Sequence, residues 1–257
     1  MEGAPPGTML APPLAGSPRV QAHRDYVIKV LLRGLTGPID GKSYRDVMVP
    51  LDNTDEWVAS VASYVRTSFG NGGELVTPAD VARVRTEIAP HKNPWTVPEL
   101  EATLPHQLDA QQFKLTASHG ADSAEYATTL RGWNSGVPQI PGMWFQVELP
   151  QAAQVTEVQF ESVNSMPGGR GRGAAGAAPG APPPAPIIGF PRAYDVQVSM
   201  DGKKWTKVAS GQGSGTRTSV DFAPTQAKFV RITQTDNIQD APAWSIRSLR
   251  LYEAKAK

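Results

Sequence analysis

Among the side chains in this sequence that could do chemistry, four tryptophans stand out: Trp133, Trp144, Trp205 and Trp244. An indole offers an apolar face and a polar edge, a shape that suits a pyranose ring. Trp133, Trp144 and Trp205 sit within or beside alternating apolar stretches and read as core, whereas Trp244, after Ala241, Pro242 and Ala243, is a candidate stacking platform. Asn134, Gln139, Arg192, Asn237 and Asp240 lie in loop-like stretches and are candidate ligand contacts, although each taken singly also reads as a solvated loop residue.

Catalytic chemistry is not expected, because the chain holds no GxSxG, no HExxH and no Ser/His/Asp set that spacing brings together. The absence of cysteine removes disulfides, thiolate metal sites, cysteine nucleophiles and covalent c-type haem attachment at once. His23, His91, His106 and His119 read as exposed or capping residues, and no metal site is expected. Asp52, Asp55 and Glu56 cluster at a helix start, where acids complement the dipole. Gly211, Gly213 and Gly215 form a partial glycine run between strands, which makes a β-loop and not a phosphate cradle. The GGRGRG piece at 168–173 offers only two arginines, and Lys plus Arg number 25 against 24 for Asp plus Glu, so nucleic acid is not expected as the partner.

The elements that must position these residues fall into two kinds. Ser17 and Pro18 signal a helix start, with Val20, Val27, Val30 and Leu31 on one face before Gly34. Asn53 with Glu56 opens a second helix whose stripe is Val58, Val61, Ala62, Val65 and Phe69 until Gly70, and Thr77, Pro78 and Asp80 open a third that carries Val81, Val84 and Ile88. From residue 113 the period becomes two. Phe145, Val147 and Leu149, then Val158 and Phe160, then Tyr194, Val196, Val198 and Met200, then Val230 and Ile232, and finally Leu249 and Leu251 mark strands, with an Asp201-Gly202 hairpin turn. Short antiparallel strands with turns between them make a sandwich or barrel. Residues 167–186 contain only Gly, Ala, Pro and two arginines and read as a disordered insertion within it. Residues 1–20 hold no apolar run long enough for a signal-peptide core, and no membrane span is expected.

Two resemblances go further. APPLAGSPRV (11–20), VLLRGLTGPIDG (30–41), YRDVMVP (44–50) and DEWVASVASYVRTSFGN (55–71) resemble the C-terminal part of a class I cytochrome c domain of the kind fused to large bacterial dehydrogenases. The resemblance implies that Met48 matches the axial thioether ligand of haem iron; outside it, Met48 reads as a flexible core filler. The family's CxxCH is absent and would lie just before Glu2, so no cofactor is expected in this chain unless haem c is anchored by a segment upstream of Met1. FKLTASHG (113–120), WNSGVPQIPGMWFQVELP (133–150), FPRAYDVQVSMDGKKW (190–205), KFVRITQT (228–235) and WSIRSLRLY (244–252) resemble a discoidin-like domain, also called the coagulation factor five/eight type C domain. That family is a jelly-roll-like, galactose-binding-like sandwich whose loops at one end bind glycans, phospholipid heads or proteins. Its relatives often hold calcium, but the turn at Tyr126 to Arg131 and Ser248 replace the usual acidic positions, so calcium is not expected.

Together these give separate α and β parts: a truncated cytochrome c-like helical domain at 1–100, a linker at 101–112 and a discoidin-like antiparallel sandwich at 113–253. The expected function is non-catalytic binding of a polysaccharide or surface glycan, attached to a redox remnant of a larger exported bacterial protein with an associated redox partner. Two alternatives stand: a c-type electron carrier completed upstream, and a protein-interaction sandwich without sugar affinity. Both resemblances imply an extracytoplasmic location.

Overall fold

The computed structural model describes residues 11–44, 46–51, 53–162, 164–165, 187–213, 215–237 and 241–254, with backbone alone at 164–165 and 187–188. Asp52, Asp240 and the Gly/Ala/Pro stretch 167–186 lie outside the described residues. The chain divides into two compact units, with the boundary between Pro105 and His106.

The first unit contains α1 (Pro18–Gln21), α2 (Arg24–Arg33), β1 (Leu35–Thr36), α3 (Asp55–Thr67), α4 (Pro78–Glu87), β2 (Trp95–Thr96) and α5 (Val97–Ala102). It is therefore not wholly helical, since β1 and β2 pair in parallel. Its core gathers Ile28, Leu31, Val58, Ala62, Val81, Val84 and Leu100. The single helix expected from Ser17 to Gly34 is broken at Ala22, because the Asp25 N–H donates to His23 Nδ1 and restarts the helix there. Ser17 makes no side-chain cap, and α1 begins on Pro18 alone. The second helix is capped one residue later than expected, by Thr54 Oγ1 accepting from Trp57 N–H. Phe69 leaves the apolar stripe altogether, taking a positive φ and an exposed position. Thr77 and Asp80 form a full capping box on α4, as their spacing predicts.

Several charges lie inside this unit. Asp25 accepts from both Nη atoms of Arg83 at 2.7 and 3.0 Å, Arg24 donates to Asp80 at 2.8 Å, and Lys29 donates to Glu87 at 2.8 Å, so α2 is fixed to α4 by three ion pairs. Arg66 donates to the carbonyls of Val20, Ala22 and Glu74 and to Glu74 Oε2 at 3.0 Å. Such pairs add little net stability over an apolar filling, yet each is costly to break by halves.

The second unit comprises β3 (His106–Gln107), β4 (Lys114–Ala117), β5 (Trp133–Pro138), β6 (Trp144–Glu161), β7 (Asn164–Ser165), β8 (Ile187–Ile188), β9 (Tyr194–Ser199), β10 (Thr206–Gly211), β11 (Arg217–Gln234) and β12 (Ala243–Glu253). Within the stretch 101–112 expected as a linker, α5 runs to Ala102, the first unit ends at Pro105, and β3 pairs with Tyr252 and Glu253 of β12. The sandwich is antiparallel throughout its main sheet. β6 and β11 each run 18 residues and pair along most of their length, with register shifts at Asp221/Thr225 and Ala227/Phe229. Trp144–Glu148 of β6 lies between β4 and β11, and its later part, Val155–Glu161, lies between β11 and β12. The two long strands thus serve both layers. Between them lie Phe145, Val147, Leu149, Val158, Phe160, Val196, Ile232, Leu249 and Leu251. Asp201 and Gly202 form the expected turn after β9, whereas Met200 leaves the buried face and is exposed.

Candidate functional site

At one end of the sandwich five short segments are tied into a single loop cluster. Gly142 N–H donates to Gln234 O at 2.8 Å, Thr235 N–H to Ala193 O at 2.9 Å, Gly213 N–H to Pro191 O at 3.0 Å and Ser245 N–H to Gly189 O at 2.9 Å. Gly213 is required there, because a Cβ would lie 2.3 Å from Pro191 O.

Gln139 is the hub. It is 4% exposed; its Nε2 donates to Phe190 O at 2.9 Å and Pro242 O at 3.0 Å, while its Oε1 accepts from Gln234 Nε2 at 2.7 Å and from Arg192 N–H at 3.3 Å. Both N–H groups and both acceptor positions of its amide are committed to protein, so Gln139 positions the loops and is not itself a ligand contact. Trp244 requires the same correction. Its side chain is 0% exposed, in edge contact with Trp133 at 5.3 Å, and no ring face is open to a sugar. The rigid Ala-Pro-Ala approach that suggested a platform instead delivers the indole into the core.

Arg192 does stand at this end. Its guanidinium lies 3.9 Å from the centroid of the Phe190 ring, and partial burial pulls its pKa below the usual arginine value without threatening its charge. Asn237 is exposed in the loop after β11, where its N–H donates to Asp236 Oδ1. Asn134 is exposed on β5, opposite Ser245, with its Oδ1 accepting from Gly136 N–H. Asp240 lies outside the described residues. Sequence reading missed two apolar contributors, Phe190 and the half-exposed Ile140. The signal was present in FPR (190–192), an aromatic outside any strand two residues from a candidate arginine.

In the helical unit, Met48 is not the core filler its type suggests. Its backbone pairs with Leu35 in both directions, at 3.0 and 3.1 Å, and its side chain is 38% exposed. His23 is committed to capping α2, and His91 lies flat on Trp95 with ring centroids 3.4 Å apart. A chain without thiols cannot hold haem by thioether bonds, and Met48 alone does not make a haem site. Among the described residues no group of three or more His, Cys, Asp or Glu side chains could hold a metal ion, and no helix is long and apolar enough to cross a membrane.

Residues 183–249 match the F5/8 type C domain family, a segment that contains Phe190, Arg192, Arg231, Asn237 and Trp244. No curated protein sequence matches the chain. Solved structures similar to the sandwich include the family 32 carbohydrate-binding module of NanJ from Clostridium perfringens in complex with galactose, at 17% identity, covering 58% of this chain and 100% of that one with a TM-score of 0.41. A second module from Clostridium perfringens, in complex with GalNAc-β-1,3-galactose, has 17% identity, 57% and 99% coverage and a TM-score of 0.41. A chitosan-binding module from a chitosanase/glucanase of Paenibacillus sp. IK-5 has 21% identity, 58% and 99% coverage and a TM-score of 0.41.

Proposed function

We propose that the unit spanning His106–Ala254 is a non-catalytic glycan-binding module whose ligand sits on the loop end. The observation that carries this reading is Arg192 stacked on Phe190, in loops fixed by the buried Gln139 and within the segment that matches the F5/8 type C family. Stacking on Phe190 orders the Arg192 side chain before a ligand arrives, so less conformational entropy is lost on binding than for a mobile arginine. Ile140 adds an exposed apolar wall beside the same loops, and Asn237 adds an amide that can both donate and accept. Apolar contact with a few convergent polar groups is the usual composition of a sugar site.

The site is open and its ligand well solvated, so the dissociation constant for a short oligosaccharide is expected on the order of 0.1 to 1 mM. The test is calorimetric titration of the full chain with galactose-type and chitosan-type oligosaccharides, alongside Phe190→Ala and Arg192→Ala. A loss of tenfold or more in both variants, with unchanged thermal midpoints, is the expected result. Equal binding by all three proteins would refute the site, and no binding by any would refute the glycan reading. EDTA is expected to leave the titration unchanged.

A further inference from the structure

The sandwich carries a second feature on the outer face of the layer built by β4, β6, β11, β9 and β10, beginning at Trp144 just beyond the loop segment 139–143. Arg231 stands there between register partners Gln146 of β6 and Gln197 of β9. Its guanidinium lies 3.9 Å from the ring centroid of Trp205 and 4.6 Å from that of Trp144, both half-buried. Nε and Nη2 both donate to Gln146 Oε1, at 3.2 and 2.7 Å. Among the described residues Nη1 has no acceptor and the guanidinium has no carboxylate partner.

The acids close by are already engaged. Asp195 pairs with Lys207 at 3.6 Å and Glu148 with Lys114 at 3.4 Å, while Asp201 accepts the backbone N–H groups of Lys203 and Lys204, both at 2.8 Å. Lys203 and Lys204, which directly precede Trp205, are exposed, and the charge of Lys204 also acts on Asp201. Neither indole N–H, of Trp144 or of Trp205, has a protein acceptor, and neither is sealed from solvent. The face therefore presents several donors and an excess of positive charge, in a chain whose formal net charge is only +1.

We propose that this face is a second subsite, for acidic polysaccharide, in which Arg231 Nη1 and the indole N–H groups of Trp144 and Trp205 hold a uronate carboxylate while Lys203 and Lys204 draw in the next acidic residue. Arg231 keeps Nη1 for a carboxylate oxygen while its guanidinium covers one face of each indole, so the indoles contribute their N–H edges to the same subsite. The proposal shares the glycan reading with the loop end but not its residues, so the two fail separately.

The test is a titration of the full, isotope-labelled chain with a hexamer of galacturonic acid and with a neutral galactose hexamer, following the indole N–H and arginine Nε–H resonances. The acidic hexamer is expected to shift Trp144, Trp205 and Arg231 while leaving buried Trp244 in place, and to bind several-fold more weakly between about 50 and 300 mM salt, as exposed charges are screened. Arg231→Gln is expected to weaken this binding at least tenfold, and Phe190→Ala to leave it intact. Should the Arg231 variant not fold, the wild-type resonance map decides. Shifts confined to the loop end, equal response to the neutral hexamer, or no response to the acidic one would each overturn the proposal.

Discussion

Two residues show how a side chain's role is settled by burial more than by type. Gln139 lies in a Pro/Gly-rich stretch where a polar residue reads as solvated, and nothing local reveals that the carbonyls of Phe190 and Pro242 converge on it from residues 51 and 103 positions away. Gln139→Ala is expected to destabilise the sandwich by about 1 to 3 kcal/mol, since it orphans buried partners, and to weaken glycan binding through loosened loops; denaturant unfolding beside the titration separates the two effects. Trp244→Ala is expected to cost about 3 to 5 kcal/mol, as large-to-small changes do in a packed core. A stable variant with reduced sugar affinity would instead restore Trp244 as a platform. Phe190 was legible only as part of a resemblance, because an isolated loop aromatic carries no periodic signal.

Among the elements, those specified locally were the legible ones. The capping box of Thr77 and Asp80 and the turn at Asp201-Gly202 are short-range chemistry and stand where the residues put them. Asp201 accepts the N–H groups of Lys204 and Lys203, which hold its carboxyl down to about 2. The break before α2 and the bends of β6 and β11 were not legible, since the first depends on one histidine ring and the others on pairing across the sheet. Burial alone would raise the Asp25 carboxyl, but Arg83, His23 and Arg24 outweigh it and leave the group below the usual aspartate range. A folded pKa below the unfolded value of about 3.9 contributes stability above that pH and loses it as acid protonates the group. The helical unit is therefore expected to lose stability as pH falls below about 4, and Arg83→Ala should cost on the order of 3 kcal/mol at neutral pH by leaving a buried carboxylate half-paired. Equal stability of wild type and variant at pH 7 by thermal unfolding would contradict this. Gly34 has φ of 80° with Met48 O placed where a Cβ would stand, 2.0 Å away, so Gly34→Ala is expected to destabilise the same unit more than its φ alone requires.

For the whole molecule, the change of period near residue 113 disclosed two kinds of architecture, though the boundary between the units falls earlier, between Pro105 and His106. The sandwich was legible because alternation along Phe145, Val147 and Leu149 or Val196 and Val198 is imposed by a buried face. Its ligand was not, because loops are free of that constraint and their contacts are assembled from distant segments. With no cysteine in the chain, the 257-residue protein is expected to purify without covalently bound haem even when haem is supplied; a Soret band surviving acid-acetone extraction would contradict that. The central claim, that the loop end of His106–Ala254 binds sugar, is tested most directly by mapping backbone amide shifts of the full chain during titration with a galactose-type oligosaccharide. Saturable shifts concentrated at residues 139–143, 189–193 and 235–237, abolished by Phe190→Ala, are the expected result. Saturation that leaves those segments unmoved, or no saturation with any sugar at millimolar concentration, would contradict it.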